Sequence, residues 1–510
     1  MTNKYLHIFK ATVVLIALSL TSCDSFLAER PSKNSSLEVK TANQLEALLN
    51  NTTSFYTEGN RTAIHSTDDY GFSAAMYKSS ASPFSMATVQ FATWDYTYLP
   101  DDTREGFWST EYRKIFTANM VLSLVGTVEG TEAQKANLTA DAHFVRAYSY
   151  FQLASTYCLP LSDATKNEPG LPIKLSTSFE EDLKRAPLAA VYKQIESDLL
   201  EALKIQLPLM QENRARHWRA SKAGVNGFAA RYYLTMNNLP EALKYAEAAL
   251  SEYSVLVDYN TEMRYGRTQN VVIDPGKPES KTVTLQYPYT HDNQSDLTDM
   301  IGWKEFLYFR MLNHESWWYI PSQSLLGLYD QDHDLRYRYH VVENYSYDRG
   351  MINPSFDYPG YIFFFKDRLP SGPTVAEMLL IKAEVLARTN KPGDAATTLN
   401  QLRAKRLTPG AWVNLTATTA DEAIKLVLEE RRREMPFTQR WQDIRRYNNN
   451  DYAADDVTLT RDFYPYTIAA VQTTEAIKTY TLPKGSRRFA APIPRTEMIA
   501  SNDVIEQNTY

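Results

Sequence analysis

Residues 383–402 read Ala-Glu-Val-Leu-Ala-Arg-Thr-Asn-Lys-Pro-Gly-Asp-Ala-Ala-Thr-Thr-Leu-Asn-Gln-Leu, and this stretch decides the fold class. Ala383 and Leu386 lie one helical turn apart, the turn Asn390-Lys391-Pro392-Gly393 interrupts them, and Ala395, Leu399 and Leu402 resume the period. Proline is tolerated in the first turn of a helix, so Pro392 opens a second helix folded back on the first. Small residues at the crossing let the two backbones approach closely. The same arrangement occurs upstream, with Ala230 and Tyr233, the turn Asn237-Asn238-Leu239-Pro240, then Ala242, Ala246 and Ala249.

In both hairpins nine residues separate the last position of the first helix from the first small residue of the second, Tyr233 to Ala242 and Leu386 to Ala395. That offset is the one found in a tetratricopeptide unit. Ala230 and Ala383 are 153 residues apart, so the units are not in tandem and a long insertion interrupts the helical scaffold. Two earlier helices extend it. Ala140, Phe144, Ala147, Tyr148, Phe151 and Ala154 form one apolar stripe. Val191, Ile195, Leu199 and Ala202 form another, with Pro187 in its first turn and Pro208 as its stop, and the two helices form a further antiparallel hairpin. Hairpins are thus expected within about 112–257 and 376–450, and a loop-rich insertion over about 258–375.

Composition agrees with a mainly helical protein. The 510 residues include only 18 glycines, half the usual ~7 %, which disfavours glycine-rich phosphate loops and all-β barrels. The formal net charge of −6, with both signs dispersed, gives no basic stripe for nucleic acid. The unusual feature is 34 Tyr and 8 Trp, of which 16 fall in the insertion together with 8 of the 24 prolines. A second aromatic stretch, about 55–110, holds Tyr70, Tyr77, Trp94, Tyr96, Tyr98 and Trp108. Both read as loop-rich surface regions, the insertion with short β-like runs at 281–287 and 361–365.

The N-terminus reads as a lipoprotein signal over 1–22: Lys4 and Lys10, an apolar run at 11–20, then Leu20-Thr21-Ser22-Cys23, a lipobox whose cysteine is expected to carry acyl chains. Residues 23–40 then form a lipidated tether, and the globular domain runs over 41–510. With Cys23 lipidated, Cys158 is the only remaining thiol and no intrachain disulfide is available.

No nucleophile elbow, Walker loop, dinucleotide fingerprint or His-Glu-x-x-His motif is present, and the eight histidines never take metal-ligand spacing. Asp330, Asp332 and Asp334 alternate like a calcium loop. Leu335 and Val341 stand where an EF-hand needs Gly and Glu, so solvated carboxylates in a turn and no metal are expected. No cofactor is expected either. The adjacent acids Glu180-Glu181 and Glu429-Glu430 read as solvated helix faces rather than a glycosidase pair. Thr419 and Glu422 make a capping box for a helix that ends in alternating Glu and Arg, read as ion pairs along the helix around Pro436.

These segments together resemble the SusD/RagB family. The resemblance rests on Cys23; on Trp108, Tyr112, Ile115 and Asn119 in a W-x-x-x-Y-x-x-I-x-x-x-N pattern; and on residues 142–148 followed by Leu159-Pro160-Leu161. It continues with Ile195, Asp198, Leu199 and Ala202, Arg219-Ala220-Ser221-Lys222, Ala383-Glu384, and residues 399–403. Glu430-Arg431-Arg432-Arg433-Glu434 with Phe437, Arg440-Trp441 and Asp443 is the most recognisable segment, and Pro492-Ile493-Pro494 to Tyr510 matches the family's ending. Cys158 stands where the family often has Gly, and the segment at Phe437 is one residue short of the common form.

The resemblance implies tetratricopeptide-like hairpins under an irregular ligand-binding subdomain, no catalysis, and a surface-exposed lipoprotein of the outer membrane. It also implies an oligosaccharide ligand, a SusC-like TonB-dependent transporter as partner, and, in some members, peptides as ligands instead. A glycoside hydrolase is the alternative of another class. The family builds its site from the segment before the W-x-x-x-Y motif and from the insertion. Sugar rings stack their C–H faces on aromatic side chains. Trp94 is therefore expected to be the stacking platform, with Tyr96 and Tyr98 on the same side of an extended segment. Tyr289, Trp303 and Trp317 are further aromatic candidates, Asp69 and Asn293 are polar ones, and Trp441 belongs to the core.

Overall fold

The computed structural model describes residues 39–99, 106–292, 297–314, 319–349 and 356–510. The mainly helical scaffold expected from the hairpin spacing is what forms. Helix α1 (Gly106–Leu124) packs on α2 (Glu132–Tyr157), which also packs on α3 (Leu188–Ala202). Every residue of the stripe from Ala140 to Ala154 is buried, and Thr131 and Gln134 close a capping box at the start of α2. Pro187 stands at the N-cap of α3 rather than inside it. The helix stops at Ala202, well before Pro208, because tight turns to the carbonyls of Glu201 and Ala202 replace the helical ladder.

Helices α4 (Lys222–Thr235) and α5 (Leu239–Glu252) form the first alanine hairpin. Asn237 takes the left-handed φ of 55° that its turn requires, a conformation Asn adopts at low cost. Ala242, Ala246 and Ala249 are fully buried at the crossing.

Between the hairpins lies a region of short elements. Strand β1 (Thr57–Glu58) comes from the N-terminal segment; β2 (Tyr265–Ile273) and β3 (Lys281–Pro288) form an antiparallel hairpin. Strand β4 (Met311–Asn313) pairs parallel with β1 and antiparallel with β5 (Arg368–Pro370). Helix α6 (Leu335–His340) is N-capped by Asp334. The β-like reading of 361–365 is corrected: only Gly360–Tyr361 is strand, and Phe365 turns into the left-handed region.

Much of the aromatic excess of this region, and of 55–110, goes into the core rather than onto a surface. Trp94, Trp303, Phe306, Phe309, Phe363 and Phe364 belong to one buried cluster that also takes in Trp441, as expected for that residue. Short elements cannot interdigitate regular apolar stripes, so large flat side chains fill the space between them.

The second hairpin is α7 (Val375–Arg388) with α8 (Pro392–Arg403), joined through Asn390 at φ 59°. Helices α9 (Ala420–Glu434) and α10 (Arg440–Tyr447) follow. The capping box of Thr419 and Glu422 is present, but the Glu-Arg run is not mainly a set of pairs along its own helix. Glu430 binds Arg433 of the same helix at 2.8 Å, and also Arg336 at 2.7 Å and Arg403 at 3.3 Å. Glu434 and Glu305 share Arg406 at 2.8 and 2.7 Å, and Arg431 holds Asp443 at 2.7 Å. Arg446 and Arg388 close on Glu384. This buried network ties α7, α8, α9 and α10 to the short-element region through Glu305 and Arg336. Asp334 is part of it, so the expectation of three solvated aspartates holds only for Asp330 and Asp332.

No helix among the described residues is long and apolar enough to cross a membrane.

Candidate functional site

The residues singled out in the sequence do not converge. Trp94, only 1 % exposed, caps the helix Met86–Thr93 with a left-handed φ of 56° and donates its indole N–H to the Ser66 carbonyl at 2.8 Å. Its ring faces have no room for a ligand, and the expected platform is corrected to a core residue. Tyr96, 8 % exposed, packs between Phe91 and Tyr510, and Trp303, 3 % exposed, meets Phe363 and Phe364 edge-on; both are core. The segment is not extended, because Trp94 turns the chain at the helix end. Asp69 is fully buried, accepts from Arg432 at 2.7 Å and from the Phe437 N–H at 2.8 Å, and so holds the fold together rather than a ligand.

Tyr98 and Tyr289 are half-buried. Tyr98 lies edge-on to Tyr466 at 6.4 Å, while Tyr289 lies under the Arg264 guanidinium at 4.4 Å, and no ring contact joins them among the described residues. Cys23, Asn293 and Trp317 lie outside the described residues.

What the structure does assemble is a ribbon of planar groups around strands β1, β4 and β5. Tyr56, just before β1, accepts the Met311 N–H through its carbonyl at 2.7 Å, which places its ring on Phe309 at 5.6 Å and 17°. Arg368, the first residue of β5, puts its guanidinium 5.8 Å from the Tyr56 ring and 5.7 Å from the Phe365 ring. Phe365 continues to His291 at 6.1 Å and 25°, and His291 to Tyr287 at 4.5 Å and 30°. Phe309, His291 and Tyr287 are buried, whereas Tyr56, Phe365, Asp367 and Arg368 are half-buried, the Arg368 and Asp367 side chains being 21 % and 22 % exposed. One edge of the ribbon is thus presented to solvent on a buried backing.

Phe365 has a φ of 46°, which costs a non-glycine residue about 1–3 kcal/mol. Its neighbours fix it there. The Phe364 N–H donates to the Arg368 carbonyl at 3.0 Å and the Arg368 N–H to the Phe364 carbonyl at 3.2 Å, closing the turn. The Phe365 N–H reaches the Thr290 carbonyl at 3.4 Å, and the Thr290 hydroxyl donates to the Phe363 carbonyl. Strain held this way keeps the Phe365 ring beside Arg368.

Asp367 supplies a carboxylate next to the ribbon, its Oδ1 3.5 Å from Arg368 Nε. Burial pushes its pKa up, against the pull of Arg368 and Lys366. The adjacent ion pair carries no net charge, and Tyr56 and Phe365, whose faces meet Phe309, Arg368 and His291, present ring edges with polar groups beside them. That combination suits a neutral polyhydroxylated ligand, with ring edges for its apolar C–H groups and the Arg and Asp heads for its hydroxyls. The sequence signal was the run Phe363-Phe364-Phe365-Lys366-Asp367-Arg368, where aromatic and charged residues adjoin.

Comparison with known proteins gives a consistent result. The family described as starch-binding and associating with the outer membrane matches residues 25–234, and the SusD family matches residues 375–510. A SusD-like protein P2 of Formosa agariphila is 27 % identical over 380 residues, taking in 67 % of this chain and 71 % of that protein. A SusD superfamily protein of Bacteroides fragilis has the same fold, with a TM-score of 0.62 at 16 % identity over 91 % of this chain and 99 % of that one. A laminarin-binding SusD-like protein aligns with a TM-score of 0.54 at 16 % identity, over 92 % of this chain and 99 % of that one.

Proposed function

Because this chain belongs to the SusD family, we propose that it is a binding protein of the outer membrane that captures neutral oligosaccharides on the Tyr56–Arg368–Phe365 ribbon. In this reading Cys23 carries the lipid anchor, and a SusC-like TonB-dependent transporter receives the ligand. The carrying observation is the guanidinium of Arg368 set between two half-buried rings, backed by a strained turn. A laminarin-binding relative of the same fold supports the ligand class.

Binding rather than hydrolysis is favoured by what the carboxylates do. Glycoside hydrolysis needs two that face one open cleft, one of them available as an acid. Glu305 and Glu434 line one cavity of only about 30 Å³ and are both held by the buried Arg406, and Asp68 and Asp69 are engaged by Arg440 and Arg432. The test is isothermal titration with neutral hexaoses of the malto, cello, laminari and xylo series, alongside a chromogenic glycoside. Heat of binding with at least one series and no turnover is expected. No heat with any of the four, or turnover of the glycoside, contradicts the proposal.

A further inference from the structure

A second surface of the same region is the outer face of the β2–β3 hairpin, whose inner face carries Tyr287 of the ribbon. The β2–β3 hairpin has two faces. Inward, Leu285 and Tyr287 are fully buried with Val342 and Ile362. Outward, the register sets Thr268 opposite Gln286 and Asn270 opposite Thr284, a row of polar side chains in which the Thr284 hydroxyl donates to Asn270 Oδ1 at 2.9 Å. Helix α6 faces this row. Its buried residues Leu335, Arg336 and His340 point into the core, which turns Tyr337 and Arg338 toward the hairpin.

Between these two walls lies an open cleft of about 250 Å³. Ligand pockets for drug-sized molecules are roughly 300–1,000 Å³, so this one has room for one or two sugar rings rather than a long chain. Tyr265, 37 % exposed, bridges the walls: its hydroxyl donates to the Arg338 carbonyl at 3.0 Å, and its ring meets Tyr339 edge-on at 5.3 Å. Tyr337 donates to Glu343 Oε1 at 3.2 Å, which fixes both groups at the rim. The two phenol rings therefore stand at set positions in the cleft.

Two amides of the lining are left for a ligand. Gln286 and Gln331 both line the cleft; both are exposed, and neither side-chain amide has a hydrogen-bond partner among the described residues. Arg338 commits one nitrogen to the Asp332 carbonyl at 3.2 Å. An amide, a guanidinium and a carboxylate each match two neighbouring hydroxyls with a pair of hydrogen bonds. Arg338 and Glu343 cancel in charge, so the cleft gives no electrostatic preference for an anion. Val341 is its only aliphatic lining residue, which leaves no apolar pocket for a peptide side chain.

We propose that this cleft is a second carbohydrate site, taking a short neutral saccharide or chain end between Tyr265 and Tyr337 with Gln286, Gln331, Arg338 and Glu343 on its hydroxyls. The ligand class follows from the lining itself, so the inference stands or falls separately from the ribbon.

Hydrogen–deuterium exchange of the mature protein, with and without each of the four neutral hexaoses and with an oligogalacturonate as anionic control, tests it. Slower exchange across 265–286 and 335–343 is expected with at least one neutral hexaose. That protection should persist in Arg368→Ala and need about tenfold more ligand in the double variant Gln286→Ala, Gln331→Ala, whose exposed positions leave the fold intact. Protection confined to 56–58 and 363–370 keeps the ribbon and overturns the second site. Protection of the cleft alone keeps the second site and overturns the ribbon. Protection by the oligogalacturonate only, or by none of the probes, overturns the inference.

Discussion

Glu430→Gln should lower the free energy of unfolding by about 3–5 kcal/mol, the range for removing one partner of a buried ion pair. Glu430 is fully buried and touches three guanidiniums, Arg336 at 2.7 Å, Arg433 at 2.8 Å and Arg403 at 3.3 Å. The amide keeps the shape and some hydrogen bonding but removes the charge that compensates them. Arg336 retains Asp334 and Glu434, while Arg403 and Arg433 have no second carboxylate among their ion pairs. Urea unfolding reads the change as a shifted midpoint. A loss below about 1 kcal/mol, the size of an exposed pair, contradicts the role assigned to the network.

Acid gives a second reading of the same prediction. Burial works against ionisation of Glu430, Glu384 and Asp68, yet the adjacent arginines prevail and hold all three below the usual carboxylate range, Asp68 at about 2. A depressed pKa contributes stability that is present above the unfolded value of about 4 and is lost as pH falls through the folded value. The wild-type protein should therefore lose stability progressively below about pH 4, and Glu430→Gln should lose less over the same interval.

Trp94→Ala should cost about 3–5 kcal/mol, as large aromatic deletions in a core do, while leaving oligosaccharide affinity unchanged. The indole is buried with its N–H satisfied by Ser66, and the Arg461 guanidinium lies 6.0 Å from its ring. Deletion opens a cavity and frees a carbonyl, and no ring contact joins Trp94 to Tyr56, Phe365 or Arg368 among the described residues. Thermal unfolding with titration at a temperature where the variant is folded separates the two. Tenfold weaker binding with unchanged stability would restore Trp94 as a ligand platform.

The difference between the Trp94 read from sequence and the Trp94 of the structure shows what was legible. The alanine hairpins were, because the offset from Tyr233 to Ala242 and from Leu386 to Ala395 is local and a helix repeats it on one face. The network was not, because its partners are far apart in sequence: Arg432 and Asp69 are 363 residues from each other. Composition located the aromatics but could not say which way each ring points. In short elements that direction is set by tertiary packing, so Trp94 and Trp303 went to the core. The ribbon depends on a left-handed Phe365, which no propensity announces for an aromatic residue. Asp367 and Arg368 beside three phenylalanines were the visible trace of it. Tyr337-Arg338-Tyr339 was a similar trace of the cleft, on a helix too short to show a period.

Titration of Arg368→Ala against the best-bound neutral hexaose tests the central claim most directly. Removing the guanidinium takes away the group that spaces Tyr56 from Phe365 and a donor for sugar hydroxyls, without touching the buried network. Binding at the ribbon should weaken at least about tenfold, corresponding to about 1.4 kcal/mol, with unfolding little changed. Affinity and heat equal to those of the wild-type protein would contradict the assignment of the ribbon as the capture site.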